Sequence, residues 1–234
     1  MGYVPLFFDV TAQPCVVIGG DSLAEHRVRT LLEAAADVTV ISAEVTAGLT
    51  SLAANQQIRH RRRAFTSGDL RGFVLAWCYE TDFDLGRAIA LEARALSIPL
   101  NVADRTALCT FIAPAVVKRG ALQIAISTGG ASPALAKMLR QELEQSFGVE
   151  YATLLTILAQ TRARLRECEP DLARRAQLSN TLVRELRNAI TRGDYAALDD
   201  ILMRHLGATL AGLGLDARLS DPLHYQVTPA VEAK

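Results

Sequence analysis

The first hundred residues alternate short apolar runs with longer stretches of helical periodicity, and that alternation leaves few folds open. Cys15-Val16-Val17-Ile18 reads as a buried strand that stops at Gly19-Gly20. Leu23 to Glu33 follows with a helical apolar stripe at Leu23, Ala24, Val28, Leu31 and Leu32. Val38-Thr39-Val40-Ile41 is the next strand, Ala47 to Ala54 a short helix, and Ile58 to Arg63 a third strand with polar alternation. Phe73 to Cys78 is almost wholly apolar, which marks it as central. A helix from about Asp84 to Leu96 leads into a fifth strand, Pro99 to Val102. Repeated βα units with apolar strands predict an α/β fold with a parallel sheet covered by helices on both faces.

The pattern changes after Asp104. Phe111 to Val117 and Leu122 to Ile126 read as strands joined by the turn Lys118-Arg119-Gly120. Ser132 is then a good N-cap and Pro133 suits the first helical position. From there to Leu206 the text is mostly helical, with breaks near Glu169-Pro170 and Gly193. The expected plan is an α/β domain over residues 1–112, a small β-plus-helix segment over 113–147, a helical region over 148–207 and a loosely ordered tail over 208–234.

Composition excludes several classes. Lys+Arg and Asp+Glu both number 25 in the 234 residues, so no broad positive field draws nucleic acid to the surface. No run approaches the roughly 20 apolar residues of a membrane span, and the N-terminus has no basic, apolar signal segment. Cys15, Cys78, Cys109 and Cys168 are dispersed without a C-x-x-C pair, a pattern that suits a reducing, cytoplasmic setting and offers no metal framework. The four histidines, His26, His60, His205 and His224, show no metal-ligand spacing.

A strand whose terminal glycines open a helix is the dinucleotide-binding arrangement, because bare backbone can approach a pyrophosphate that faces the helix N-terminus. Here the turn reads Gly19-Gly20-Asp21-Ser22-Leu23-Ala24. Against G-x-G-x-x-G/A, the middle glycine is Asp21. A carboxylate about 4 Å from a phosphate charge costs on the order of 4 kcal/mol at an effective dielectric of 20, before screening. The same residues also read as a plain turn in which Asp21 or Ser22 caps the helix. On the second strand, Ser42 stands where an acidic residue often holds the adenosine ribose, and Glu44 lies two residues on.

Asp104 ends an apolar strand, the position at which ligands bind in open α/β sheets. It is a candidate proton acceptor, or else a turn residue capped together with Asn101. The run Arg59-His60-Arg61-Arg62-Arg63 reads as a solvated edge strand, with anion capture as the alternative. Lys118, Arg119 and Lys137 flank Ser127-Thr128-Gly129-Gly130, whose backbone N–H groups could receive a substrate carboxylate.

Several separated segments carry a resemblance. They are Tyr3-Val4-Pro5-Leu6-Phe7, the glycine turn continuing into Ala24-Glu25-His26-Arg27, Glu80-Thr81-Asp82, Asn101-Val102-Ala103-Asp104, Phe111 to Ala115 and Ile126 to Ala136. In this order and spacing they resemble the precorrin-2 dehydrogenase/sirohydrochlorin ferrochelatase family, the N-terminal module of siroheme synthase. The resemblance implies a Rossmann domain, a central dimerisation segment and a helical dimerisation region, hence a homodimer. It implies NAD-dependent oxidation of the tetrapyrrole precorrin-2 to sirohydrochlorin, then insertion of Fe²⁺ as a substrate to give siroheme. By position it implies that Ser22 and Leu23 meet the pyrophosphate, Ala43 and Glu44 the adenosine end, and that Asp104 is the catalytic aspartate. Thr128, beside Ser127, falls where some members have a serine that can be phosphorylated. The chain is too short for the methyltransferase domain that some siroheme synthases carry. Two departures fall on the cofactor side: Asp21 for glycine, and Glu80-Thr81-Asp82-Phe83-Asp84-Leu85-Gly86 in place of an A-T-D-D-x-x-V-N type loop. Asp21 favours the alternative of a chelatase or tetrapyrrole-binding protein with impaired NAD-dependent activity.

Overall fold

β1 (Pro14–Ile18) is the middle strand of a five-stranded parallel sheet of order β3-β2-β1-β4-β5. Its partners are β2 (Asp37–Ile41), β3 (Arg59–Arg61), β4 (Leu75–Cys78) and β5 (Leu100–Val102). Successive side chains of a strand point to opposite faces. Cys15 and Val17 therefore enter one apolar layer, with Val38, Val40 and Trp77, while Val16 and Ile18 enter the other, with Ile41, Ala76 and Cys78. Helix α1 (Ser22–Glu33) covers the first layer through Ala24, Val28 and Leu31, and α2 (Ala47–Ala54) adds Leu49 and Leu52. Helix α3 (Phe83–Ala95) covers the second through Ile89, Ala90 and Ala93. Unbroken apolar strands are thus required by burial on both faces.

The computed structural model describes residues 2–215. Within that range the chain forms two units, one of residues up to 113 with 129–131 and one of 114–128 with 132 onward. The second unit pairs β6 (Ala115–Arg119) antiparallel with β7 (Leu122–Ile126) and continues into α4 (Pro133–Ser146), α5 (Glu150–Cys168), α6 (Leu172–Thr191) and α7 (Ala197–Leu206). Ile157, Leu165, Leu182, Leu186, Leu198 and Leu202 form its core. As expected, Ser132 caps α4 by accepting from Leu135 N–H at 3.2 Å, with Pro133 in the first turn. Helix α6 begins after Pro170 under an Asp171 cap and ends at Gly193, whose φ is 71°. Of the expected tail, residues 208–215 include Leu210, Leu213 and Leu215 packed on the helical core. The rest lies outside the described residues.

Several expected boundaries move: the third strand, expected over Ile58 to Arg63, is Arg59–Arg61, and the fourth, expected from Phe73, begins at Leu75. The strand predicted from Phe111 begins only at Ala115, because Pro114 has no N–H to offer a ladder. Phe111 instead stands edge-on to Trp77, with ring centroids 4.9 Å apart. The turn predicted over Lys118-Arg119-Gly120 starts later, and Lys118 and Arg119 stay in β6. Arg119 is held there by donating to the Phe147 carbonyl at 2.8 Å and the Glu144 carbonyl at 3.1 Å, at the end of α4.

Candidate functional site

All five strands of the parallel sheet run the same way, so their C-terminal ends share one edge. Chain order reverses between β1 and β4, the switch point at which a crevice opens in such sheets. At this edge lie Gly19 to Leu23 after β1, Ser42 to Glu44 after β2, Tyr79 to Asp82 after β4, and Ala103 to Arg105 after β5. The topology brings together every residue expected to meet the dinucleotide, and Asp104 with them.

The glycine turn is built for close approach. Gly19 has a φ of 110°, and a Cβ on it would lie 2.9 Å from Tyr79 Cβ. A Cβ on Gly20 would lie 2.0 Å from the Glu44 carbonyl oxygen. Both positions require glycine. Asp21 is the N-cap of α1, its carboxylate accepting from Ala24 N–H at 2.8 Å. Of the two sequence readings of Asp21, the capping one is realised. Its charge nonetheless stands at the helix N-terminus, where an anion would dock. Among the described residues nothing accepts from the N–H groups of Ser22 and Leu23. Two free amides at a helix start, above two glycines, fit the pyrophosphate of a dinucleotide.

The neighbouring loops are anchored internally. The Ser42 hydroxyl donates to the Glu44 carbonyl at 2.7 Å, and the Ser42 carbonyl lies 2.9 Å from His60 Nε2. Asp82 caps α3, accepting from Asp84 N–H at 2.8 Å and Leu85 N–H at 3.1 Å. Burial pushes the Glu80 carboxyl above the usual carboxylate range, and the charges of Asp82 and Asp21 push it the same way. Three carboxylates, Asp21, Glu80 and Asp82, thus lie near enough at this sheet edge to act on one another.

Asp104 is exposed and adopts a φ of 57°, in the left-handed region that aspartate tolerates better than most residues. The shared cap with Asn101 is not formed, since Asn101 Nδ2 donates to the Phe111 carbonyl at 3.0 Å. Among the described residues no donor reaches the Asp104 carboxylate. Its neighbour Arg105 donates to the carbonyls of Thr81 and Asp82, a contact that no side-chain pattern announces.

The second candidate group lies on the connection between β7 and α4. Gly129 and Gly130 have φ values of 64° and 87°. The Thr128 hydroxyl braces this turn, donating to the Ser132 carbonyl and accepting from Ser132 N–H, each at 3.1 Å. Lys137 is exposed on α4.

The arginine run belongs to an edge strand, as the first reading has it. Arg59 meets Asp37 at 2.5 Å, while Arg63 and Arg61 meet the buried Asp69 at 2.5 and 3.3 Å. These guanidinium groups serve the fold. All four cysteines are free, and burial pushes the Cys15 and Cys78 thiols up to about 11. Among the described residues no helix is long and apolar enough to cross a membrane. Nor is any group of three His, Cys, Asp or Glu residues there placed to hold a metal ion.

Comparison with known proteins gives two family matches. Residues 6–115 fit the family described as "Putative NAD(P)-binding", and residues 119–146 that described as "Sirohaem biosynthesis protein central". The siroheme synthase of Methylococcus capsulatus is 39% identical over 171 residues, 73% of this chain and 36% of that protein. That of Methylobacillus flagellatus is 38% identical over 167 residues, again 36% of its length. That of Thioalkalivibrio sulfidiphilus is 32% identical over 218 residues, 93% of this chain and 44% of its own. The chain thus spans less than half the length of these relatives. The solved structure described as "SirC, precorrin-2 dehydrogenase" has the same fold, with a TM-score of 0.65 at 22% identity, covering 81% of this chain and 100% of its own.

Proposed function

Since this chain belongs to the family formed by the N-terminal module of siroheme synthases, we propose that it oxidises precorrin-2 to sirohydrochlorin with NAD⁺. The observation that carries this reading is the sheet edge. One edge presents a glycine turn with two free amides and, two strands away, an exposed carboxylate with no internal donor. Bound NAD⁺ supplies a two-electron hydride acceptor. Gly19 and Gly20 let the backbone approach it, the amides of Ser22 and Leu23 receive the pyrophosphate, and the Ala43–Glu44 segment borders the adenosine end.

Oxidation of a reduced tetrapyrrole removes a hydride and a proton, and Asp104 takes the proton. Its left-handed backbone turns the carboxylate out of the strand line, and no internal bond has to break before it reaches substrate. Ser127, Thr128, Gly129, Gly130 and Lys137 receive the carboxylates of the tetrapyrrole. Fe²⁺ insertion is a second activity of the same carboxylate, which accepts protons released by the pyrrole N–H groups as the metal enters.

The protein works as a homodimer in a reducing, cytoplasmic setting. Met138, Val183 and Met203 leave apolar side chains exposed on the helices of the second unit, as a subunit interface requires. Such interfaces bury on the order of 2,000 Å² or more, and sedimentation at micromolar concentration tests the assembly.

The decisive assay is anaerobic conversion of precorrin-2 with and without NAD⁺, and of sirohydrochlorin with Fe²⁺. Asp104→Asn should lower both turnovers by roughly 10² or more with the fold unchanged. Wild-type rates in that variant would reduce Asp104 to a turn residue. The carboxylates of Asp21, Glu80 and Asp82 favour a second reading, a chelatase or tetrapyrrole carrier that does not use NAD⁺. Calorimetric titration with NAD⁺ separates the two.

A further inference from the structure

The loop that follows β4 and carries Thr81 and Asp82 is held by one residue from another strand's end. Arg105 donates from Nη1 to the Asp82 carbonyl at 2.8 Å and from Nη2 to the Thr81 carbonyl, so one guanidinium bridges two successive carbonyls. Its Cζ stands 5.2 Å from the centroid of the Phe83 ring. Gly86 leaves room beside the guanidinium: a Cβ there would lie 2.7 Å from Arg105 Nη1, the movable end of a flexible side chain. Gly86 is buried inside α3, where glycine costs about 1 kcal/mol of helix stability relative to alanine. Arg105 is what occupies the space that this glycine leaves.

Arg105 is also the next residue after Asp104. Val102 is fixed in the β4–β5 ladder and Arg105 in the Thr81–Asp82 loop, so Asp104 is suspended between two anchors. We propose that Arg105 is a positioning residue that latches the dinucleotide-side loop to the Asp104 segment and sets the two in one geometry. The proposal rests on the dehydrogenase reading above. A lysine cannot replace the latch, because a single ammonium on a flexible stem lacks the planar fork that spans two carbonyls.

The test uses the full chain with Arg105→Ala, Arg105→Lys and Gly86→Ala. Amide hydrogen exchange over residues 80–86, calorimetric binding of NAD⁺ and the KM for NAD⁺ in precorrin-2 oxidation are measured in each. Arg105→Ala is the decisive variant; Gly86→Ala keeps the arginine, crowds its guanidinium and raises helix propensity, so a weaker helix cannot explain any loss it shows. Exchange over 80–86 should quicken, and NAD⁺ binding weaken, by about tenfold or more in Arg105→Ala and Arg105→Lys, from the loss of two charge-assisted bonds, and by less in Gly86→Ala, where the guanidinium only shifts. KM for NAD⁺ should rise in parallel, and Arg105→Lys should not rescue. Exchange or NAD⁺ affinity within twofold of the wild type in Arg105→Ala overturns the proposal. A wild-type protein that fails to bind NAD⁺ overturns the dehydrogenase reading and the positioning role with it. The exchange data then report separately whether the latch exists.

Discussion

Replacing Asp21 by asparagine removes one charge from the glycine turn and leaves the helix cap in place. Asn and Asp cap helices about equally well, so the amide oxygen of the substituted side chain continues to accept from Ala24 N–H, as the Asp21 carboxylate does at 2.8 Å. A pyrophosphate received by the amides of Ser22 and Leu23 would stand roughly 6 Å from the carboxylate. With an effective dielectric of about 40 at this exposed site, the repulsion is about 1.4 kcal/mol per phosphate charge. Counting the nearer phosphate charge alone, Asp21→Asn should therefore tighten NAD⁺ binding by at least about tenfold. Asp21→Gly should behave alike, since glycine in place of a capping residue costs only a few tenths of a kcal/mol. Calorimetric titrations of the three proteins at about 0.01 M and 1 M salt test this, because the screening length falls from about 30 Å to about 3 Å over that range. The gap should be widest at low salt and nearly close at high salt. Equal affinities at low salt would refute the reasoning, and would mean that the capping bond turns the carboxylate away from the docked anion.

Gly20→Ala places a Cβ 2.0 Å from the Glu44 carbonyl oxygen, so the turn must shift; a stability loss of about 1–3 kcal/mol in urea melts is expected, with NAD⁺ binding lost in parallel. Glu80 has a raised folded-state pKa, so its contribution is complete below the ordinary carboxylate range and is lost as pH rises through the raised value. Glu80→Gln should flatten that limb in urea melts run across a pH series. Asp69 is the opposite case. Hydrogen bonds from Arg63 hold its carboxyl well below the usual range, so its contribution is present above pH about 4 and is lost as acid approaches the folded value. Asp69→Asn should cost about 1–3 kcal/mol at neutral pH and remove that acid limb, as urea midpoints would show.

Where a signal is local, the sequence carries it. The strand ending at Gly19, the stripe of α1 and the Ser132-Pro133 helix start each depend on neighbours within a few residues, and each is found where expected. Asp21 is legible only as two alternatives, because a cap and an anion site both draw on amides of the same first helical turn, and only the fold shows that the carboxylate takes Ala24 N–H. The charge of Arg59 to Arg63 is plain in the sequence, yet its partners Asp37 and Asp69 are not, since ion pairing across a sheet edge leaves no spacing to read. Arg105 escapes the sequence because it bonds to backbone carbonyls more than 20 residues away, and every residue has a carbonyl. The only trace is Gly86, a glycine inside an otherwise helical stretch.

Trp77, the single tryptophan of the chain, pairs with Val17 in the β1–β4 ladder. Arg27 lies 3.7 Å above its ring, and among the described residues its buried indole N–H has no acceptor. All indole fluorescence therefore originates in the parallel-sheet unit, whereas α4, α5, α6 and α7, the greater part of the helix, dominate the far-ultraviolet dichroism from the other unit. One chain thus carries two optical labels, one for each core, without chemical modification. Denaturation followed at both wavelengths distinguishes a single cooperative transition, in which the curves superimpose, from stepwise loss of one core before the other.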